Sequence, residues 1–465
     1  MNQFKDEAVN RAPAAGRPPQ LPAAAVVVAV VIGLAIWGGL ALGGDPRQPL
    51  ARTLLLLGAA SALYLVLLGG SRWGDRLTGA GYRWMLLGGV LFRVLLVPAD
   101  PGLSDDLYRY IWDGRVLVAG HNPFRHAPAA PELAPLRDRW HARINHPDVP
   151  TIYPPAAQVV FAAMAAVAPH PLTVKAGCAV LDLLVLVALA RLLAVLGLPR
   201  GRLLAYAWCP LPIIEFAGSG HIDVLGILAL VVALAALEAR RPAAAVTALG
   251  VAVLSKLLPI VVAPLVLARV RRRHGLLLVA VVVAGYLPFV AGGVDPTVGL
   301  RTYLAHWRGN EALFGLLLGA GLDLAAAKLM AALLVLVVAA VLVARRVATR
   351  VAVPVTLAAA LLLSPVVHPW YLTWLVPFIG LMPSVALAVL ACTVLLAYRA
   401  WGQLAAHGVY RVDALTRSLE YLPPLVAVGF DIARAGGAGV GRRMAGRWRA
   451  LLRRGWFSRQ RDRRR

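Results

Sequence analysis

One stretch, SDDLYRYIWDGR (104–115), carries Asp105, Asp106, Arg109, Asp113 and Arg115. Adjacent carboxylates suit proton transfer, because a general base must lie within hydrogen-bond reach of the hydroxyl it activates. The arginines offer counter-charge to a developing anion. The plainer reading of the two acids is helix initiation. Ser104 is a favourable N-cap, and acids at the first helical positions suit the helix dipole by about 0.3–1 kcal/mol each. The stretch follows directly on an apolar run ending near residue 98, and charge is costly near a bilayer. Helical spacing puts Asp105, Arg109 and Trp112 on one stripe and Asp106, Tyr110 and Asp113 on the next.

Five other constellations join it. GHNPFRHAP (120–128) holds Asn122 in what reads as a glycine-terminated helix followed by an Asn-Pro turn. INHPDVPTIYPPAAQ (144–158) is a long proline-punctuated loop with Tyr153, and such loops often carry function. AGSGHIDVLG (217–226) sets His221 and Asp223 at a helix entry, where an N-cap turn competes with contact to a sugar or phosphate. LSKLLP (254–259) contains Lys256, one of four lysines in a chain otherwise supplied with arginine. A lysine between two apolar half-helices must snorkel or pair, and a lipid-linked phosphate is one such partner. SPVVHPWYLTWLVPF (364–378) brings His368, Trp370, Tyr371 and Trp374. Aromatic anchoring at a membrane interface explains the rings but not the histidine. No Walker loop, HExxH, GxSxG or zinc-type spacing occurs.

The elements that must hold these residues are membrane helices. Of 465 residues, 60% are hydrophobic, and mean hydropathy is +0.73, against about 45–50% apolar residues in soluble domains. Runs such as 21–42 and 325–344 exceed the ~18 apolar residues of a transmembrane helix. The expected fold is all-α and polytopic, with about 12–14 spans and a short amphipathic helix in a large first outer loop. A tail over 1–21, a membrane module over 22–434 (outer loop 99–155) and an Arg-rich tail over 435–465 divide the chain. The first apolar run is too long for a signal-peptide core and reads as a retained span.

Net charge is +25, but the arginines sit in short clusters between apolar runs and in the tail. That pattern fits cytoplasmic anchoring to anionic headgroups and argues against nucleic acid. The positive-inside rule puts both termini in the cytoplasm and the acid- and histidine-bearing loops outside. Basic clusters at 239–241 and 269–274 both belong inside, so two half-length helices breaking at SKLLP (255–259) are expected. Irregular backbone at membrane depth must be buried or line a cavity. The segment 155–169 is too short to cross easily and reads as re-entrant or interfacial. Cys178, Cys209 and Cys392 all lie in apolar segments, as small core residues.

In the order of these motifs the chain resembles GT-C membrane glycosyltransferases that use polyprenyl-phosphate sugars. It is most similar to glycosyltransferase family 87 and the polyprenol-phosphomannose-dependent α-1,6-mannosyltransferases. The carrying residues are SDDLYRYIWDGRVLVAGHNPF, INHPDVPTIYPPAAQ, GHID, SK…P and SPVVHPWYLTWLVP. The resemblance implies a plasma-membrane (inner-membrane) hexosyltransferase whose catalytic base is Asp105 or Asp106, with Asp105 preferred. It implies a polyprenyl-phosphate donor and a glycan or lipid acceptor meeting outside the membrane, and an inverting single displacement. Lys256, Arg109 and Arg115 are then candidates for the donor phosphate. Tyr110, Asn122, Tyr153, His221, Asp223, His368, Trp370 and Tyr371 are candidates for sugar or acceptor. No cofactor is indicated, although the paired acids leave a divalent ion open. The rival functions are a transporter or flippase for a lipid-linked sugar, which the broken helices suggest, and a scaffold without chemistry. No inverted repeat supports the transporter.

Overall fold

The computed structural model describes residues 20–437. Most of the tail expected over 1–21, and the Arg-rich tail from residue 438 onward, lie outside the described residues. Helices α1 (Ala23–Ala41), α2 (Leu50–Gly70) and α3 (Gly79–Leu96) lead to α4 (Asp106–Val118). Then come α5 (Pro155–Val167), α6 (Pro171–Val195), α7 (Asp223–Glu238), α8 (Pro242–Ser255) and α9 (Arg273–Val290). The series ends with α10 (Val298–His306), α11 (Leu324–Ala344), α12 (Thr349–Leu362), α13 (Val385–Thr393), α14 (Ala400–His407) and α15 (Ala414–Gly437). Among the described residues there is no strand, only an isolated bridge between Gly309 and Val366. The fold is all-α, as composition required.

Among the described residues, six helical stretches are long and apolar enough to cross a membrane: Ala23–Ala41, Leu50–Gly70, Pro171–Val195, Arg273–Val290, Leu324–Ala344 and Val385–His407. The expected 12–14 spans are not reached by helices of that length; four further apolar helices are shorter, Pro155–Val167, Pro242–Ser255, Leu258–Leu267 and Thr349–Leu362, the first read from sequence as too short to cross and the next two as the halves of a broken pair. Three of them carry a proline in the first turn (Pro155, Pro242 and Pro259), where a helix can start but a preceding one cannot run on, while Thr349–Leu362 holds Pro354 in its interior. The expected break is present. Helix α8 ends at Ser255, Lys256 is extended (φ −158°, ψ 143°), and a 3-10 turn resumes at Leu258. The last apolar run lies in α15, whose Asp431 accepts from Ser384 Oγ (2.7 Å) and from the Val385 and Ala386 amides, capping α13.

Side-chain burial follows the helical repeat. In α1, Val26, Ala29, Val30, Gly33, Ile36, Trp37 and Leu40 face inward, while Val28, Val31 and Ile32 stay exposed. A fully buried ion pair fastens the interior. Arg93 Nε on α3 lies 2.6 Å from Asp182 Oδ2 on α6. Tyr206 donates to Asp182 Oδ1 at 2.6 Å, and Arg93 Nη1 donates to the Gly89 and Ala207 carbonyls. Charges this deep persist only when paired and hydrogen-bonded. The three cysteines are free and buried.

Candidate active site

Helix α4 carries the paired acids to the wall of a cavity of about 540 Å³. The helix begins at Asp106, one residue later than a Ser104 cap implies. Ser104 Oγ still accepts from the Asp106 amide at 3.3 Å. At Gly114 an added Cβ would run into the Phe161 carbonyl, so glycine lets α4 lie close on α5. Tyr110 stacks on Phe161 (4.6 Å, 8°), and the Tyr153 ring meets both edge-on.

Arg109 pairs with Asp113 one turn on, at 2.8 Å. This crosses the two stripes drawn from helical spacing. Asp113 Oδ2 also accepts from Thr151 Oγ1 (2.6 Å) and Gln158 Nε2 (3.2 Å). That buried network clamps the 144–158 loop onto α4. The clamp delivers Asn145, whose amide donates to Asp106 Oδ1 at 3.1 Å.

The two carboxylates therefore differ. Asp106 is held by Asn145, and its Oδ2 lies 3.9 Å from His221 Nδ1. Asp105 accepts no side-chain hydrogen bond among the described residues; its nearest cation is Arg47, at 4.0 Å. Burial pushes both carboxyls above the usual carboxylate range. Arg47 and Arg143 oppose the rise at Asp105, and Asn145 and Lys256 oppose it at Asp106.

Lys256 enters from the helix break. Its Nζ lies 2.6 Å from Asp223 Oδ1, which also accepts from Trp374 Nε1 at 2.7 Å. The ammonium sits 4.1 Å from the Tyr371 ring centre, and the Tyr371 and Tyr303 hydroxyls are 2.8 Å apart. The lysine side chain remains 24% exposed, enough to line the cavity, whereas Asp223 is buried behind it. Trp370 stacks against both His221 (4.1 Å, 16°) and His368 (4.3 Å, 5°). His221 lies outside the cavity lining, with Nε2 3.4 Å from Glu215 Oε2. Glu215 sits in a π-helical turn, Ile213–Gly218, and accepts from the Tyr398 hydroxyl at 2.6 Å.

Thus Asp105, Asp106, Arg109, Tyr110, Tyr153, Lys256, His368, Trp370 and Tyr371 meet at one cavity. His221 and Asp223 form a layer behind it. Two sequence candidates lie elsewhere. Arg115 is bound to Asp138 (2.5 Å) and the Leu136 carbonyl (2.9 Å), because the helix turns its last-turn arginine towards the 131–138 segment. Asn122 closes its own turn and donates to the Phe289 carbonyl at 2.7 Å. Sequence reading passed over Asn145, Tyr303, Trp307, Arg308, Trp401 and Tyr410, all cavity residues. Asn145 lay within the loop singled out for Tyr153. Trp401 and Tyr410 carry no local signal.

Comparison with curated proteins and with solved structures finds no match. Comparison with protein families matches residues 23–272 to the MptA/B family, described as alpha-(1->6)-mannopyranosyltransferase, N-terminal domain. The matched segment is over half of the 465 residues and contains Asp105, Asp106, His221, Asp223 and Lys256. With the paired acids and Lys256 on one cavity of an all-helical membrane fold, the chain belongs to the α-(1→6)-mannopyranosyltransferase family and is a glycosyltransferase.

Proposed function

We propose that this chain moves mannose from a polyprenyl-phosphate donor to a hydroxyl of a glycan or lipid acceptor, at the extracytoplasmic face of the plasma membrane. The carrying observation is that Asp105 and Lys256 line the same cavity. Asp105, whose carboxylate accepts no side-chain hydrogen bond among the described residues, takes the proton of the acceptor hydroxyl. The acceptor oxygen attacks the anomeric carbon as the bond to the phosphate oxygen breaks, and polyprenyl phosphate leaves with the electron pair. Lys256 stabilises the charge that builds on that phosphate. Arg109, which lines the same cavity, adds positive charge beside it.

Asp223 and Trp374 hold the lysine in place, and Asn145 holds Asp106. One displacement inverts the anomeric centre, so an α product requires a β-linked donor. The Arg clusters support the sidedness through the positive-inside rule. The test is incubation of membranes with polyprenyl-phosphate-[¹⁴C]mannose. Labelled glycan and free lipid phosphate are expected from the wild type. The Asp105→Asn variant should give neither while folded protein stays constant. Near-normal transfer by that variant would refute the base assignment, and label crossing the membrane unchanged would point to a transporter.

A further inference from the structure

The two acids, both on the cavity, have different neighbours. Asp106 is turned towards Asn145, His221 and the field of Lys256. Asp105 is turned towards Arg47, which Asp45 fixes through its backbone amide (2.9 Å) and guanidinium (3.1 Å). The Arg47 guanidinium lies over the Trp401 ring, 4.8 Å from its centre. Trp401 Nε1 donates to the Leu103 carbonyl at 3.1 Å, tying the ring to the residue before Ser104. Gly408, at φ +69°, ends α14 in the left-handed conformation that favours glycine. The chain then returns, and Tyr410 meets Trp401 at 5.0 Å, nearly edge-on. Tyr410 lines the cavity and is 42% exposed, so part of it is accessible to a ligand.

The transfer chemistry above uses neither aromatic. Both lie beyond the segment matched to the family, which ends at residue 272. A rigid aromatic pair beside a carboxylate and a fixed guanidinium is suited to a pyranose. The rings offer apolar area with little entropy cost, and the few polar groups set orientation.

We propose that Trp401 and Tyr410 form the platform for the acceptor's terminal sugar, with Arg47 at its rim, so that a sugar hydroxyl is presented to Asp105. The acceptor is then a hexopyranoside chain end, recognised through its ring. This rests on the transfer function proposed above and assigns its second substrate to this part of the cavity.

The experiment uses the full chain in detergent or nanodiscs, with octyl α-(1→6)-mannobioside as acceptor probe and a short-chain prenyl-phosphate mannose as donor. Trp401→Ala and Tyr410→Ala should each weaken binding of the mannobioside about tenfold or more. Donor binding should stay within about twofold, and Trp401→Phe should keep most acceptor affinity. In turnover, the acceptor KM should rise while the donor KM holds. Unchanged acceptor affinity in both alanine variants, or an equal loss for donor and acceptor, overturns the assignment. So does octyl glycerol competing as well as the mannobioside, which would mark a lipid-headgroup site. Should Trp401→Ala fail to fold, Tyr410→Ala decides alone. Trp401-dependent binding of the probe by a wild type that transfers no mannose would sink the transfer function and leave the platform standing.

Discussion

Lys256 Nζ and Asp223 Oδ1 lie 2.6 Å apart across 33 residues of sequence. The carboxylate is buried and the ammonium reaches the cavity, so the pair aims a cation held from behind. Lys256→Met should lower kcat about 10²–10³-fold, the usual loss for one preorganised charge-stabilising donor. Asp223→Asn should cost less, about tenfold, and should appear mainly in the donor KM because the lysine is misplaced and not removed. Steady-state kinetics with both substrates varied will separate the two.

Asp105 must be ionised to act as a base, and burial raises its carboxyl above the ordinary range. Activity should therefore fall, on lowering pH, at a higher pH than an exposed aspartate predicts. Arg47→Gln removes a charge that favours the carboxylate, so the acid limb of the kcat/KM–pH profile should move further up. Asn145→Ala should leave that limb in place, because Asn145 binds Asp106. A limb that follows Asn145 and ignores Arg47 would make Asp106 the base. Stability runs the other way. A carboxyl with a raised folded pKa contributes stability below its unfolded pKa, and that contribution is lost as pH rises through the folded pKa.

Arg93 and Asp182 give a stability test remote from the cavity. Arg93→Met leaves a buried carboxylate with only Tyr206, and breaking one side of a buried pair costs about 3–5 kcal/mol. The double variant Arg93→Met/Asp182→Leu should recover much of that loss. Thermal melts in one detergent, compared as a double-mutant cycle, measure it.

Gly114 sets the distance between α4 and α5. Its replacement by valine forces a side chain into the Phe161 carbonyl. The acids should then shift relative to Lys256, and a misplacement near 1 Å can cost about 100-fold in rate. Activity should fall further than the melting temperature suggests, which parallel rate and melting measurements would show.

The membrane character, the all-helical class, the presence of α4 and the break at Lys256 were legible in the chain alone, whereas the amphipathic character expected of α4 was not kept, since packing buries it on nearly every side. Each depends on local composition: apolar runs, a capped helix start, and proline where a helix cannot continue. The same local signals marked Asp105, Asp106, Lys256, His368, Trp370 and Tyr371, because polar groups in so apolar a chain require a reason. They also marked Arg115 and Asn122, since local pattern does not reveal which partner a polar side chain will find. Packing decided that Arg115 meets Asp138, that Asp223 meets Lys256 and that the buried Arg93 meets Asp182. Packing also set Arg47, Asp105 and Trp401 beside one another, although their positions span most of the chain. Helical periodicity specifies the face a residue occupies, but which faces meet is settled only when the helices pack.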